Sequence, residues 1–146
     1  MRTTGTAAAA AAACALALGA SAANAGVLHY EARLSGAAEA PANPSQARGL
    51  VTAVVDTDRR VMEYTVTYSG LGGPVSVAGF KEDSTPPDDP IVTAPTDGKA
   101  KTIHAVVSLT DAQINALDRG KWLFDIATTA SPGGEIRGRL HRVSGD

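Results

Sequence analysis

The sequence predicts an all-β fold, an antiparallel β-sandwich carrying one short helix, with a partly closed β-barrel of the same strands as the alternative. Three observations predict it. Apolar and polar residues alternate with period two in several segments. Turn-forming Gly, Pro, Asn and Asp clusters divide those segments at the spacing of a sandwich or barrel. A single segment has a helical pattern, so the crossover helices of a parallel sheet are missing.

Leu28, Tyr30, Ala32 and Leu34 alternate with His29, Glu31 and Arg33, a first strand with one apolar face. The stretch 36–49 holds Pro41, Asn43, Pro44 and Ser45 and reads as a loop. Residues 50–55 form a second strand, Asp56-Thr57-Asp58 a polar turn, and residues 60–68 a third strand with Met62, Tyr64, Val66 and Tyr68 on one face. Gly70, Gly72, Gly73 and Pro74 interrupt the ladder before a shorter strand over 75–80. Glu82, Asp83, Asp88 and Asp89 mark an acidic, Pro-rich loop, and 95–99 a further loop. Ile103, Ala105, Val107 and Leu109 face inward from the next strand. Thr110-Asp111-Ala112-Gln113 has the spacing of a capping box, and Gly120 suits the helix stop. Trp122, Phe124 and Ile126 alternate with Lys121, Leu123 and Asp125. After the Pro132-Gly133-Gly134 turn, Ile136, Gly138 and Leu140 point inward, with Arg137, Arg139 and His141 outward.

Residues 1–25 read as a secretory signal peptide: Arg2 supplies the positive start, residues 7–18 the apolar run, and Ala23-Asn24-Ala25 the cleavage site. The run is too short to span a bilayer, which needs about 20 residues. Cleavage after Ala25 removes the one cysteine, Cys14, so residues 26–146 form a single thiol-free domain held by packing. With 13 Lys and Arg against 15 Asp and Glu, the 146-residue chain carries a net charge of -2 and no broad positive field for nucleic acid. The 4% aromatic content provides no stacking platform. The expected product is exported to periplasm or beyond, with no membrane span after processing.

Several segments resemble the CHRD (chordin-type) domain family. Glu31-Ala32-Arg33-Leu34-Ser35-Gly36 followed by Ala38-Glu39-Ala40-Pro41 resembles its opening, and residues 64–71 its central strand. Residues 109–114 resemble its short helix; Gly120-Lys121-Trp122 and Pro132-Gly133-Gly134-Glu135-Ile136-Arg137-Gly138 resemble its C-terminal motifs. The likeness spans roughly residues 28–140 and implies an immunoglobulin-like β-sandwich from a secreted bacterial member; it implies no particular mechanism. Bacterial members commonly carry a His-x-His pair where this chain has Gly79 and Lys81. They also carry a His at the position of Ala127 and Asn at that of Asp125. A site built on those imidazoles is therefore lost here, because protonated Lys and Ala offer no metal donor.

The remaining histidines, His29, His104 and His141, could hold a transition metal only if their strands were neighbours. The acidic loop lacks the alternating ligands and central Gly of a calcium loop. No Cys nucleophile survives processing, and neither G-x-S-x-G nor H-E-x-x-H occurs. The chain thus reads as a non-enzymatic protein without cofactor or metal, with a binding or structural role toward an unknown protein or envelope ligand. The alternative is a metal-binding protein or metal-dependent enzyme of the envelope with rearranged ligands. Glu135 and Arg137, flanking Ile136, are read as an outward pair that either bridges strands or forms a polar patch for a partner. Trp122 is read as core, with a binding anchor as its second reading.

Overall fold

The computed structural model describes residues 26–83, 90–97 and 100–144. The leader, Asp88 and Asp89 of the acidic loop lie outside these residues. Among these residues nine strands and one α-helix follow in the order β1 (Val27–Ser35), β2 (Arg48–Asp56), β3 (Val61–Ser69), β4 (Val75–Glu82), β5 (Pro90–Thr93), β6 (Thr102–Ser108), α1 (Asp111–Asp118), β7 (Trp122–Thr128), β8 (Ile136–Arg139) and β9 (His141–Val143). The all-β reading holds. Two elements differ from it: β5 occupies a segment whose sequence carries no clear strand pattern, and the last strand divides at Leu140.

All pairings are antiparallel. The path through the sheet is β5-β4-β7-β8-β1-β2-β3-β6, with β9 also on β1. The three strands β1, β2 and β3 pair without a register shift over nine residues each. Alternation alone sets this: Tyr30, Ala32 and Leu34 of β1 and Met62, Tyr64, Val66 and Tyr68 of β3 are all buried, while Glu63 and Thr67 are exposed. The sheet must curl, because strands far apart along the path meet through their rings. Tyr64 of β3 packs edge-on to Phe80 of β4 at 4.8 Å, and Phe80 packs on Phe124 of β7 at 4.8 Å and on Trp122 at 5.5 Å. The result is a half-barrel, intermediate between the sandwich and the partly closed barrel. Its two halves are joined through a narrow seam, where β1 and β8 share the pair Ser35–Arg137. At Leu140 the chain leaves β7 and crosses to β1, which is why the final strand is split.

The helix forms as its sequence dictates. Thr110 Oγ1 accepts from Gln113 N at 3.1 Å, and the Gln113 side chain accepts from Thr110 N at 2.8 Å. At the other end Gly120 takes φ +73°, Gly120 N donates to Leu117 O and Lys121 N to Ala116 O, a Schellman stop. Ile114 and Leu117 are its buried residues. Tyr30 donates to Asp118 Oδ1 at 2.9 Å and ties the helix to β1; burial first, then this carboxylate, push the phenol above its ordinary range. Among the described residues no helix is long and apolar enough to cross a membrane.

A candidate site of buried charges

Strand β7 is covered on both faces over most of its length. Trp122, Phe124 and Ile126 enter the core, yet Leu123 and Asp125 on the opposite face are buried too. The cover comes from the segment that follows β1. A 3₁₀ turn at Gly36–Ala38 ends with Glu39 N and Asn43 N both donating to Gly36 O, which folds this segment back on itself. Asn43 then donates through Nδ2 to Gly134 O at 3.3 Å and Glu135 O at 3.0 Å, pinning the segment onto the Pro-Gly-Gly turn.

Under this cover lie four charges. Asp125 and Arg137 are direct cross-strand partners on β7 and β8. Arg137 donates to Asp125 Oδ2 from Nε at 3.1 Å and from Nη2 at 2.9 Å, and its Nε lies 3.4 Å from Glu39 Oε2. Lys81 of β4 approaches Asp125 Oδ2 to 3.4 Å. The side chains of Glu39 and Asp125 are each 3% exposed. Gly134, at φ +120°, sits where a Cβ would come within 2.8 Å of oxygens of both carboxylates, so only glycine fits against them.

Glu39 is the unusual member. Burial, and then the neighbouring Asp125 carboxylate, push its pKa up to about 7; Arg137 and Lys81 oppose the shift without overcoming it. Among the described residues its Oε1 has no hydrogen-bond partner, so nothing offsets the burial of that oxygen. The folded-state value exceeds the ordinary ~4.3. The stability that Glu39 contributes is therefore fully present below about pH 4.5 and is lost as pH rises through about 7. Glu39→Gln, a neutral mimic, is expected to remove that part of the pH slope. Urea titrations at pH 5 and pH 8.5 check it: the variant should gain about 1–2 kcal/mol on the parent between them.

Glu135 forms a second knot beside the first. It is 2% exposed, and its carboxylate accepts from Thr128 Oγ1 at 2.8 Å, Ser45 Oγ at 2.8 Å and Gly72 N at 3.0 Å. Burial raises its pKa, but these three donors together outweigh burial and hold the carboxyl below its usual range. One side chain thus joins the segment after β1, the turn before β4 and the end of β7. Glu135→Gln keeps the shape but aims an NH2 at groups that donate. We expect it to lower the denaturation free energy by about 2 kcal/mol at pH 7, read by urea titration.

The outward placement expected of Glu135 and Arg137 is therefore corrected. Alternation rightly puts them opposite Ile136, but that side of β8 is roofed by residues 39–45. Trp122 is fully buried among Phe80 and its neighbours, in agreement with its core reading. Glu39, missed as a site residue, carried one sequence signal: a lone carboxylate among small apolar residues in the opening motif.

Gly79, Lys81, Asp125 and Ala127 share one face of the β4–β7 pair, with Gly79 opposite Asp125. A Cβ on Gly79 would fall 2.4 Å from Val92 O, so β5 as placed leaves no room for a side chain there. The three histidines do not converge. His29 and His141 lie diagonally on the paired strands β1 and β9, but the register runs His141–Glu31–Thr52–Thr65–His104 across five strands, which sets His104 four strand spacings away, about 19 Å along the curled sheet. His104 instead meets Thr65 Oγ1 at 3.0 Å and Glu63 at 3.3 Å. Among the described residues no group of three or more His, Cys, Asp or Glu side chains is placed to hold a metal ion. Asp83 of the acidic loop pairs with Arg139, which holds its carboxyl below the usual range.

The fold and the site together define a small all-β domain whose recognisable motifs close a charged clasp inside a half-barrel. Glu39 of the opening motif meets Arg137 of the C-terminal motif, with Gly134 and Glu135 between. The chain belongs to the CHRD domain family, whose model matches residues 30–140. No curated protein and no solved structure matches it.

Proposed function

We propose that the chain is an exported, non-enzymatic CHRD module that works by binding, or as a structural component, in the cell envelope or the extracellular space. The observation that carries this reading is the internal use of the charged side chains: Glu39, Asp125, Arg137 and Lys81 are spent on one another, and Glu135 on two hydroxyls and a backbone amide. A general acid or base must reach its substrate, whereas these carboxylates hold the domain shut. The leader-like residues 1–25 support export, and a domain without a thiol after processing needs no oxidative maturation. Glu135, Arg137 and Trp122 would then act on a partner through the surface they support. Glu135 floors a surface hollow of about 370 Å³ rimmed by Asn43, Ser45, Gly72 and Ser131, and that hollow is where contact is first to be sought.

The test starts from the full-length chain expressed with a C-terminal tag. The expected result is a product beginning at Gly26 in the exported fraction, identified by intact mass. Immobilised, this product should retain an envelope component that free untagged domain competes away. An unprocessed chain in the cytosol would overturn the export reading. Catalytic turnover of any small molecule, abolished by a single polar replacement, would overturn the non-enzymatic one.

A further inference from the structure

The two edges of the curled sheet are treated differently. One edge, β5, is four residues long, opens on Pro90 and pairs with β4 across a register shift. Shortness, proline and irregularity are the usual devices that stop an edge from recruiting another strand. The other edge, β6, has none of them. It runs seven residues, pairs with β3 without a shift, and contains no proline, lysine, arginine or carboxylate.

The phase of the β3–β6 ladder shows which backbone groups β6 leaves open. Just before the strand Tyr68 N donates to Lys101 O at 3.1 Å, and just after it Leu109 N donates to Arg60 O at 2.8 Å. Both contacts are hydrogen-bonded pairs of the same register, so Ile103, Ala105 and Val107 between them also turn their N–H and C=O groups toward β3. Thr102, His104, Val106 and Ser108 turn theirs away. Among the described residues no backbone group meets them, and β6 has no strand neighbour other than β3. The same strand carries Val106, at 59% the most exposed large apolar residue described.

We propose that β6 is a homotypic docking edge, on which a second copy of this chain adds its own β6 antiparallel and continues the sheet across a two-fold axis at Ala105. The outward groups of Thr102, His104, Val106 and Ser108 then pair as Thr102 with Ser108 and His104 with Val106 of the second copy. This forms about eight backbone hydrogen bonds. The charges fit this occupant. The strand brings no ionisable side chain except His104, each His104 keeps its own Glu63 at 3.3 Å, and the register sets His104 against valine rather than against its twin. The two Val106 side chains become diagonal neighbours and cover each other. The interface is isologous, so it closes as a dimer. It does not depend on the export or binding role proposed above.

Analytical ultracentrifugation of the exported, processed chain tests it, with hydrogen exchange at low and high concentration. A reversible dimer is expected by ~0.5 mM, as suits an interface at the small end of the range. The amides of His104 and Val106 should slow on association, while those of Ile103, Ala105 and Val107 are protected throughout. Val106→Pro removes an outward N–H and no bond to β3. Val106→Lys places a charge on the edge. Each should weaken association at least about tenfold with little change in thermal midpoint, and the lysine variant decides if the proline variant does not fold. A chain that stays monomeric throughout, a dimer that both variants leave intact, or an edge that pairs with an unrelated extended peptide but never with itself would each overturn the proposal.

Discussion

Arg137→Ala is expected to remove about 3–5 kcal/mol of stability at pH 8, the range seen when one partner of a buried ion pair is deleted. The guanidinium serves two carboxylates at once, by two bonds to Asp125 and a closer approach to Glu39 than any other cation in the cluster achieves. Once it is gone, Lys81 at 3.4 Å from Asp125 is the cation left beside them. The deficit should also have a sign in pH. Without Arg137, which opposes the upward shift of Glu39, that carboxyl takes up a proton more readily and its folded-state pKa rises further. Stability then falls as pH rises through that range, and the penalty shrinks toward pH 5. Two further variants separate charge from packing. Arg137→Lys should recover only part, because an ammonium cannot reproduce the fork that holds Asp125 while facing Glu39. Adding Glu39→Gln to Arg137→Ala should recover more at pH 8 than at pH 5, since it deletes the charge left most exposed to repulsion. Chemical denaturation of the four proteins at both pH values measures all of this. A penalty that is equal at both pH values would mean that the aliphatic stem of Arg137, rather than its charge, does the holding.

The same cluster shows how far the sequence could be read. Period-two alternation placed the inward faces of β1 and β3 correctly because burial on one face needs no knowledge of distant chain. The capping box at Thr110 and the stop at Gly120 were legible for the same reason: every group involved lies within a few residues. Arg137 and Glu135 take the side that alternation gives them but are covered there, because alternation tells which side of a strand a residue takes, not what lies over that side. Their roof comes from residues about 90 positions earlier, through Asn43 and Ser45. Lys81 and Asp125 could be paired only once the β4–β7 register was known. The open edge at β6 was equally hidden, since an edge strand and an interior strand of this length share one pattern. The family motifs, read as sequence, looked like several separate signals. In the fold two of them are one structure, with the opening motif supplying Glu39 and the closing motif supplying Gly134, Glu135 and Arg137.

Gly138→Ala is expected to have the largest effect of the glycine-to-alanine changes among the described residues. Gly138 lies on β8 at the seam where the two halves of the half-barrel join. A Cβ there would stand 2.1 Å from Arg33 O and 2.8 Å from Arg33 C, both backbone atoms of β1. No side chain can swing aside to relieve that contact, so β8 and β1 must separate. Separation breaks the Ser35–Arg137 pair that joins the halves, draws Arg137 away from Asp125, and disturbs Leu34, whose Cδ2 lies 3.0 Å from the new atom. We expect a loss above about 4 kcal/mol, or failure to accumulate folded protein, on the scale of severe overpacking combined with a broken buried ion pair. The neighbouring turn gives the control. A Cβ on Gly133 would have nothing within 4 Å of it, and this residue has no positive φ. Gly133→Ala should therefore be neutral or stabilising by up to about 1 kcal/mol through the unfolded chain. Thermal denaturation of both variants, with near-ultraviolet circular dichroism of Trp122 to report core packing, decides the matter. A Gly138→Ala protein that melts within a few degrees of the parent would show that β1 and β8 can part at this point without cost, and that the half-barrel is held by its clasp rather than by its seam.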